Sequence, residues 1–338
     1  MRVVLLFGGR SAEHDVSLVS ADYVRGVLQR SGHHVIPVRI DKGGSWSTEG
    51  AGIFIETGKT PWRMKRGGEA LRFDLVFPVL HGPFGEDGTV QGLCEMAGWA
   101  CAGAGVMTSS AAMNKVTAKE MADYHSIPVM PWKTLTAEVF SKGKVPADLE
   151  YPLFVKPAGM GSSVGITRVS SHEELSAALD TAFRYDDLVL LEQAMLNARE
   201  IEVALLSRGC RVSSSVAGEV VPGLEWYDYR AKYHCDESRL LIPAPIPKEL
   251  SSAIRRDAEK VFRILRGSGF ARADFLLDRE GAYRFNEINT IPGFTEISMF
   301  PKLWKASGVD PEELMNIIIE EALNAWKRKK GMELEHHR

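Results

Sequence analysis

No run of apolar residues in this chain approaches the roughly 20 that a membrane-spanning helix needs. The amino terminus, MRVVLLFGGRSAEHD, holds only five consecutive apolar residues, Val3 to Phe7. A secretory leader needs a longer apolar core and a small-residue cleavage site. Cysteine is scarce: Cys94, Cys101, Cys210 and Cys235 are the four in 338 residues, and none forms a C-x-x-C pair. That excludes a disulfide framework and fits a reducing cytoplasm. Basic charge is not in excess, with 41 Lys and Arg against 44 Asp and Glu and a net charge of −3. Nothing therefore points to nucleic acid, and no acidic tail is present. Internal repeats and low-complexity tracts are absent as well.

What is present is an ordinary globular balance, 45% apolar and 25% charged. It rules out a disordered or fibrous chain. The length suggests about two domains, with three small ones also allowed. The end LEHHR, residues 334–338, resembles part of an expression tag. The four cysteines read as small buried apolar residues.

Val3 to Phe7 predicts a first strand that stops at Gly8-Gly9. Apolar residues then recur at Val16, Val19, Tyr23, Val24, Val27 and Leu28, which is helical spacing ended by Ser31-Gly32. His34 to Ile40 predicts a second strand. Phe73 to Leu80 predicts another, running into His81-Gly82. Apolar strands alternating with helices indicate a parallel sheet. Ligands of such sheets sit beyond the carboxyl ends of the strands, where Gly8-Gly9 and His81-Gly82 lie. Residues 41–70 look like an insertion with no readable role. Residues 111–145 read as helix and then loop, with Pro128, Pro131 and Lys142–Lys144 marking a boundary. Further strands are predicted from Leu153, at 188–192 and at 200–206. Helices are predicted at 173–185, 249–266 and 311–329. Residues 222–242 read as one long polar and aromatic loop, a length usually reserved for function. The basic run Lys327–Lys330 reads as a solvated helix end that complements the helix dipole.

Two nucleotide motifs fail. Gly58-Lys59-Thr60 could end a Walker loop, but Gly52 is one residue too distant and Ile53-Phe54-Ile55 between them is strand-like. No G-x-G-x-x-G follows a strand, so a nicotinamide cofactor is unsupported. Gly161 to Gly165 matches G-x-S-x-G, the nucleophile elbow. An elbow needs a helix after it, then an acid and a His; His172 is too close, and His234 is the one plausible base. A plain Gly/Ser loop is the simpler reading. The context fits a third better: Lys156-Pro157 precedes three glycines and two serines, Gly159 to Gly165. Backbone N–H groups and hydroxyls on such a loop can wrap phosphate oxygens, with a lysine as point charge.

The densest chemistry lies at 270–299. Two strand-like runs flank Asp278-Arg279-Glu280-Gly281, a hairpin signal. A two- or four-residue loop would set Leu277 opposite Ala282, Asp274 opposite Phe285 and Arg272 opposite Glu287; a three-residue loop would shift this by one register. Period two puts Arg272, Asp274, Glu287 and Asn289 on one face. Adjacent oxygen donors there suit a hard cation such as Mg²⁺ held together with substrate phosphates. A solvated hairpin face with an Arg–Glu pair is the plainer alternative. Glu13, alone, reads as a helix-start acid, and His81 to Gly88 as a Gly-rich turn or a His awaiting a substrate.

Together these motifs make the chain resemble the D-alanine–D-alanine ligases of the ATP-grasp superfamily. The matching segments are GGRSAEHDVS (8–17), HGPFGEDGTVQG (81–92), KPAGMGSSVG (156–165), WYDYRAKY (226–233), ARADF (271–275) and NEINTIPGFTEISMFP (286–301). They occur in the family's order and span nearly the whole chain. The resemblance implies an α/β protein of three-domain ATP-grasp architecture: an N-terminal parallel-sheet domain, and ATP held between two antiparallel-sheet domains. The expected divisions are 1–105 (substrate domain), 106–195 (central subdomain), 196–330 (C-terminal subdomain with the metal site) and a tail at 331–338. It further implies a cytoplasmic enzyme, a homodimer, with ATP and two Mg²⁺ ions (or Mn²⁺) as cofactors, acting in peptidoglycan precursor synthesis and binding neither nucleic acid nor membrane.

By the same resemblance, Lys115 and Lys156 grip ATP phosphates and the loop with Ser162 and Ser163 closes over them. Glu192 meets the adenine edge and Glu200 the ribose. Asp274, Glu287 and Asn289 hold the metal ions. Glu13 and His81 hold the first D-alanine, and Lys232 and Ser298 the carboxylate of the second. Arg272 and the N–H of Gly293 stabilise an oxyanion, and Glu13, Ser162 and Tyr233 form a trio fastening the loop at 222–242. Relatives using D-lactate carry Phe at the place of Tyr233, so Tyr233 favours D-alanine as acceptor. Gln193 and Phe300 depart from the Lys and Tyr of some members. Ligases making D-Ala-D-Lac or D-Ala-D-Ser are near alternatives. A serine hydrolase using Ser163 and a nucleotide-binding module without chemistry are distant ones.

Overall fold

The computed structural model describes residues 1–58, 60–146, 148–221 and 239–332. Strand β1 (Arg2–Gly8) is an apolar run whose Val3, Val4, Leu5 and Leu6 are buried. It pairs in parallel with β2 (His34–Ile40) and β7 (Leu75–Val79). Helix α1 (His14–Arg30) makes the crossover between β1 and β2, burying Val16, Ala21, Val24, Val27 and Leu28. The chain leaves β1 through Gly8, where a Cβ would stand 2.2 Å from the Ile40 carbonyl oxygen and φ is +90°. Only glycine permits that close turn.

The stretch 41–70 folds into β3 (Trp46–Thr48), β4 (Ala51–Glu56), β5 (Arg63–Arg66) and β6 (Glu69–Ala70). These extend the first sheet as antiparallel strands, in the order β6-β5-β4-β3-β2-β1-β7. Helix α2 (Thr89–Ala97) packs over Val76 and Leu80.

A second, four-stranded antiparallel sheet contains β8 (Trp132–Thr136), β9 (Leu153–Pro157), β10 (Thr167–Val169) and β11 (Leu188–Gln193), ordered β10-β9-β11-β8. The short helix α5 (Ala137–Ser141) follows β8, and α6 (His172–Ala182) covers one face through Leu175, Ala178 and Leu179. Strand β8 corrects the loop expected after the helical stretch. Its polar alternation, Trp-Lys-Thr-Leu-Thr, buries only Leu135, so its hydrophobic signal is weak.

A third sheet has five antiparallel strands: β12 (Arg199–Arg208), β13 (Arg211–Val221), β14 (Arg239–Leu241), β15 (Phe270–Leu277) and β16 (Tyr283–Asn289). Their order is β14-β13-β12-β15-β16. Strand β13 is absent from the sequence prediction, and β14 lies inside the span expected to be loop. Helix α7 (Lys248–Ile264) and two earlier helices, α3 (Val106–Met113) and α4 (Lys115–Tyr124), share one core with this sheet. Helices α8 (Met299–Ala306) and α9 (Pro311–Lys330) close the chain. Cys210 sits exposed at the β12–β13 turn rather than buried.

One core joins the first and third sheets. Phe77 of β7 stacks on Phe270 of β15, with Phe294 and Phe300 packed around them at centroid separations of 5.0–6.4 Å. All four are fully buried. Aromatic packing of this kind fixes the carboxyl end of β7, with His81 just beyond it, against the segment that follows β16.

Candidate active site

The hairpin β15–β16 differs in register from the expected one. Leu277 lies opposite Tyr283 and Phe275 opposite Phe285; beyond a bulge, Asp274 lies opposite Glu287 and Arg272 opposite Asn289. The bulge decides the face. Without it, Phe285 and Glu287 would project to one side, since side chains alternate. One extra residue in β16 lets Phe285 enter the core beside Phe275 while Glu287 turns into the cleft. Arg272, Asp274, Glu287 and Asn289 thus share a face, though through other pairs than expected.

On that face Arg272 grips Asp274 with two hydrogen bonds, Nε to Oδ1 at 2.7 Å and Nη2 to Oδ2 at 2.6 Å. Its Nε is also 3.0 Å from Glu202 Oε2 on the neighbouring strand β12. Burial opposes charge on Arg272, but Asp274 and Glu202 overcome it and hold its pKa well above the ordinary arginine value. Asn289 Nδ2 donates to Asp274 Oδ2 at 3.0 Å. Glu200 lies two residues before Glu202 on β12, so period two puts both on one face.

The second sheet and α4 supply cations. Lys115 donates to the Met160 carbonyl and stands 3.6 Å from Glu287. Lys156 of β9 pairs with Glu192 of β11, and Lys119 of α4 pairs with the other carboxylate oxygen of Glu192. Burial opposes ionisation of Glu192, and the two lysines more than offset it, leaving its pKa below the usual range.

The loop after β9 crosses to the first sheet. Ser162 donates to Glu13 at the start of α1. Ser162 and Ser163 both have left-handed backbones, φ +51° and +59°. A Cβ on Gly161 would lie 3.3 Å from Glu13 Oε2, and one on Gly82 only 2.3 Å from it. The segment continues into β10, not a helix, so Ser163 lacks the strand–turn–helix setting of a nucleophile elbow.

His81 is buried beneath this contact. Its Nδ1 is 3.0 Å from the Ile291 carbonyl, its Nε2 2.9 Å from Ser20 Oγ, and Glu86 Oε1 stands 3.8 Å away. Burial disfavours the imidazolium, but Glu86 and then Glu13 outweigh it and raise the His81 pKa. Burial, with the charge of Glu13 adding to it, pushes Glu86 up to about 7. Ser298 Oγ accepts from Thr295 N at 3.0 Å and is 2.8 Å from Thr295 Oγ1, at the head of α8. A Cβ on Gly293 would meet that hydroxyl at 3.0 Å. Lys232 and Tyr233 lie outside the described residues, as do His234 and Cys235.

The chain is similar to known proteins over nearly its full length. Residues 2–104 match the family described as D-ala D-ala ligase N-terminus, and residues 121–320 the one described as D-ala D-ala ligase C-terminus. The chain belongs to the D-alanine–D-alanine ligase family. Its relatives in that family include a D-alanine–D-alanine ligase A of Bradyrhizobium diazoefficiens, 43% identical over 98% of both chains. Another is a D-alanine–D-alanine ligase of Clostridium acetobutylicum, 43% identical over 94% of this chain and 97% of the relative. Among solved structures, a D-alanine-D-alanine ligase from Coxiella burnetii superposes with a TM-score of 0.85 at 30% identity, covering 98% of this chain and 96% of that one. A D-Ala:D-Ser ligase from Enterococcus faecalis does so with a TM-score of 0.85 at 31% identity, covering 95% and 99%. The α/β architecture expected from the sequence, one sheet with a parallel centre and two antiparallel sheets, is the one observed.

Three cleft residues escaped the sequence reading. Lys119 follows Lys115 by one helical turn, a spacing that places both on one helix face. Glu202 follows Glu200 by two in an otherwise apolar strand. Glu86 lies five residues after His81, in a segment from which the sequence reading singled out His81 alone. Each carried a signal of spacing alone.

Proposed function

We propose that this chain uses ATP to activate one D-alanine as an acyl phosphate and joins it to a second, forming D-alanyl-D-alanine for peptidoglycan precursors. The observation that carries the reading is the cleft's charge arrangement. Lysines 115 and 156 stand on one wall and Asp274, Glu287 and Arg272 on the other, with Glu13 and Ser162 at the mouth. Family membership across the full length supports the same conclusion.

The residues fit the chemistry. A carboxylate is a poor acyl donor, and phosphorylation makes it a good one. Lys115 and Lys156 would neutralise the charge moving off ATP. Asp274, Glu287 and Asn289 form an oxygen-donor set suited to Mg²⁺. Bound there, Mg²⁺ would supply charge neutralisation at the transferring phosphoryl group.

Glu13 would receive the ammonium of the first D-alanine, with His81 beneath it. The amine of the second D-alanine, losing a proton, would attack the acyl carbon, with Arg272 and the Gly293 N–H beside the developing oxyanion; the acyl C–O bond to phosphate then breaks and inorganic phosphate leaves. Lys232 and Ser298 would hold the second carboxylate. Glu192 and Glu200 would meet adenine and ribose, and Ser163 would join Ser162 over the phosphates. Closure of that loop, with Tyr233 joining Ser162 and Glu13, would exclude the water that hydrolyses an acyl phosphate. Each of the three sheets falls within one of the divisions 1–105, 106–195 and 196–330, while α3 and α4 pack on the third sheet. The family resemblance supports a cytoplasmic homodimer. Among the described residues no helix is long and apolar enough to cross a membrane.

The acceptor is tested by offering D-alanine, D-serine and D-lactate together and weighing the products. D-alanyl-D-alanine should dominate, and Tyr233→Phe should raise the D-lactate product. An unchanged ratio in that variant would remove Tyr233 from the specificity argument. A native product that is mainly D-Ala-D-Ser would favour the second reading, for which the Enterococcus likeness speaks.

A further inference from the structure

Lys119 takes no part in the chemistry above, yet it is the most deeply placed charge of the lysine wall, only 1% exposed. Its ammonium pairs with Glu192 Oε1, and the Phe285 carbonyl of β16 lies 3.4 Å from it. Glu192, also 1% exposed, gives its Oε2 to Lys156. One buried carboxylate is therefore shared by two lysines of different accessibility. Lys156 is the one that borders the glycine- and serine-rich loop, so Lys156 is the one a phosphate can claim.

That arrangement creates a conflict. As Lys156 turns to a phosphate, Glu192 loses half its compensation while still buried. Stripping a buried carboxylate of its partner is strongly disfavoured. A second cation already in place removes the obstacle, because the charge on Glu192 stays balanced throughout. We propose that Lys119 is a positioning residue for nucleotide binding: it keeps Glu192 paired and so releases Lys156 to the phosphates of ATP. This rests on the ligase reading, in which Lys156 meets phosphate.

The test compares ATP with adenosine by calorimetric titration of the full chain. Adenosine brings no phosphate and leaves Lys156 on Glu192. In Lys119→Met, the affinity for ATP should fall at least about tenfold while that for adenosine barely changes. A merely structural role would weaken both together. The double variant Lys119→Met with Glu192→Gln has no carboxylate to strand; since both ligands carry the adenine set against Glu192, it is judged by the ratio of ATP to adenosine affinity, which should not fall below the native one. It also carries the test if the single variant does not fold. Equal ATP affinity in native and Lys119→Met chains, equal losses for both ligands, or a collapsed ratio in the double variant would overturn the proposal. A native chain that binds no ATP would instead defeat the ligase reading.

Discussion

The two walls of the cleft carry opposite charges and solve opposite problems. The wall formed by α4, β9 and β11 is cationic: Lys119 and Lys156 flank one carboxylate, Glu192, and Lys115 lies one helical turn before Lys119. The wall formed by β12, β15 and β16 is anionic, with Glu202, Asp274 and Glu287 around a single cation, Arg272. Each wall holds its minority charge between two partners, and Lys115 meets Glu287 across the gap at 3.6 Å. A polyphosphate with its metal ions would match this pattern: in the proposed reading the phosphates go to the lysines and the metal to the carboxylates. The walls differ in what must be given up. On the lysine wall the proposed reading has a cation leave Glu192. On the carboxylate wall Asp274 would leave Arg272 to take a metal, with Glu202 remaining beside the arginine.

The comparison breaks most severely at Glu287. Glu287→Gln removes a charge from the proposed metal site, and turnover should fall by at least about a hundredfold. Rate against Mg²⁺ concentration checks it; a near-native rate and Mg²⁺ dependence would refute the metal role. Glu202→Gln removes one of the carboxylates that hold Arg272, so Asp274 should yield to Mg²⁺ less readily. Half-saturation should then move to higher Mg²⁺ by about tenfold, read from the same titration, and no shift would show the two walls to be unlike. Ser162→Ala removes the bond to Glu13 at the mouth. The D-alanine KM should rise roughly fivefold, and an unchanged D-alanine KM would remove the loop's link to the amino-acid side.

The smallest effect concerns pH. The folded chain keeps a proton on Glu86 between the ordinary carboxyl value of 4.5 and about 7, a range where the unfolded chain has lost it. The stability from the neutral carboxyl is therefore full below that range and is lost as pH rises through it. Glu86→Gln holds the neutral form at every pH. Its Tm relative to the native chain should be near zero at about pH 5 and positive by a degree or two at about pH 8. A difference that stays constant across that range would exclude Glu86 as the titrating group.

Much of the architecture was legible, because strong periodicity carries it. The buried run of β1, the apolar stripe of α1 and the strand β7 ending at His81 follow from apolar spacing alone. Weak elements did not show. Strand β8 buries one side chain, and β13 has three successive serines where a hydrophobic signal would be needed. The common face of Arg272, Asp274, Glu287 and Asn289 was readable, but not the register, since the bulge beside Phe285 answers to core packing rather than to turn chemistry. The charge pairs were invisible for another reason. Lys119 and Glu192 are 73 positions apart in the sequence, and only the packing of α4 against β11 and β16 makes them partners.

The central claim is that this cleft couples ATP cleavage to D-alanine. The direct measurement is ADP release by the purified chain with ATP and Mg²⁺, in the presence of D-alanine, of L-alanine, or of no amino acid. The account predicts ADP release that requires D-alanine, with D-alanyl-D-alanine identified by mass. Release indifferent to D-alanine, or no dipeptide formed, would contradict it.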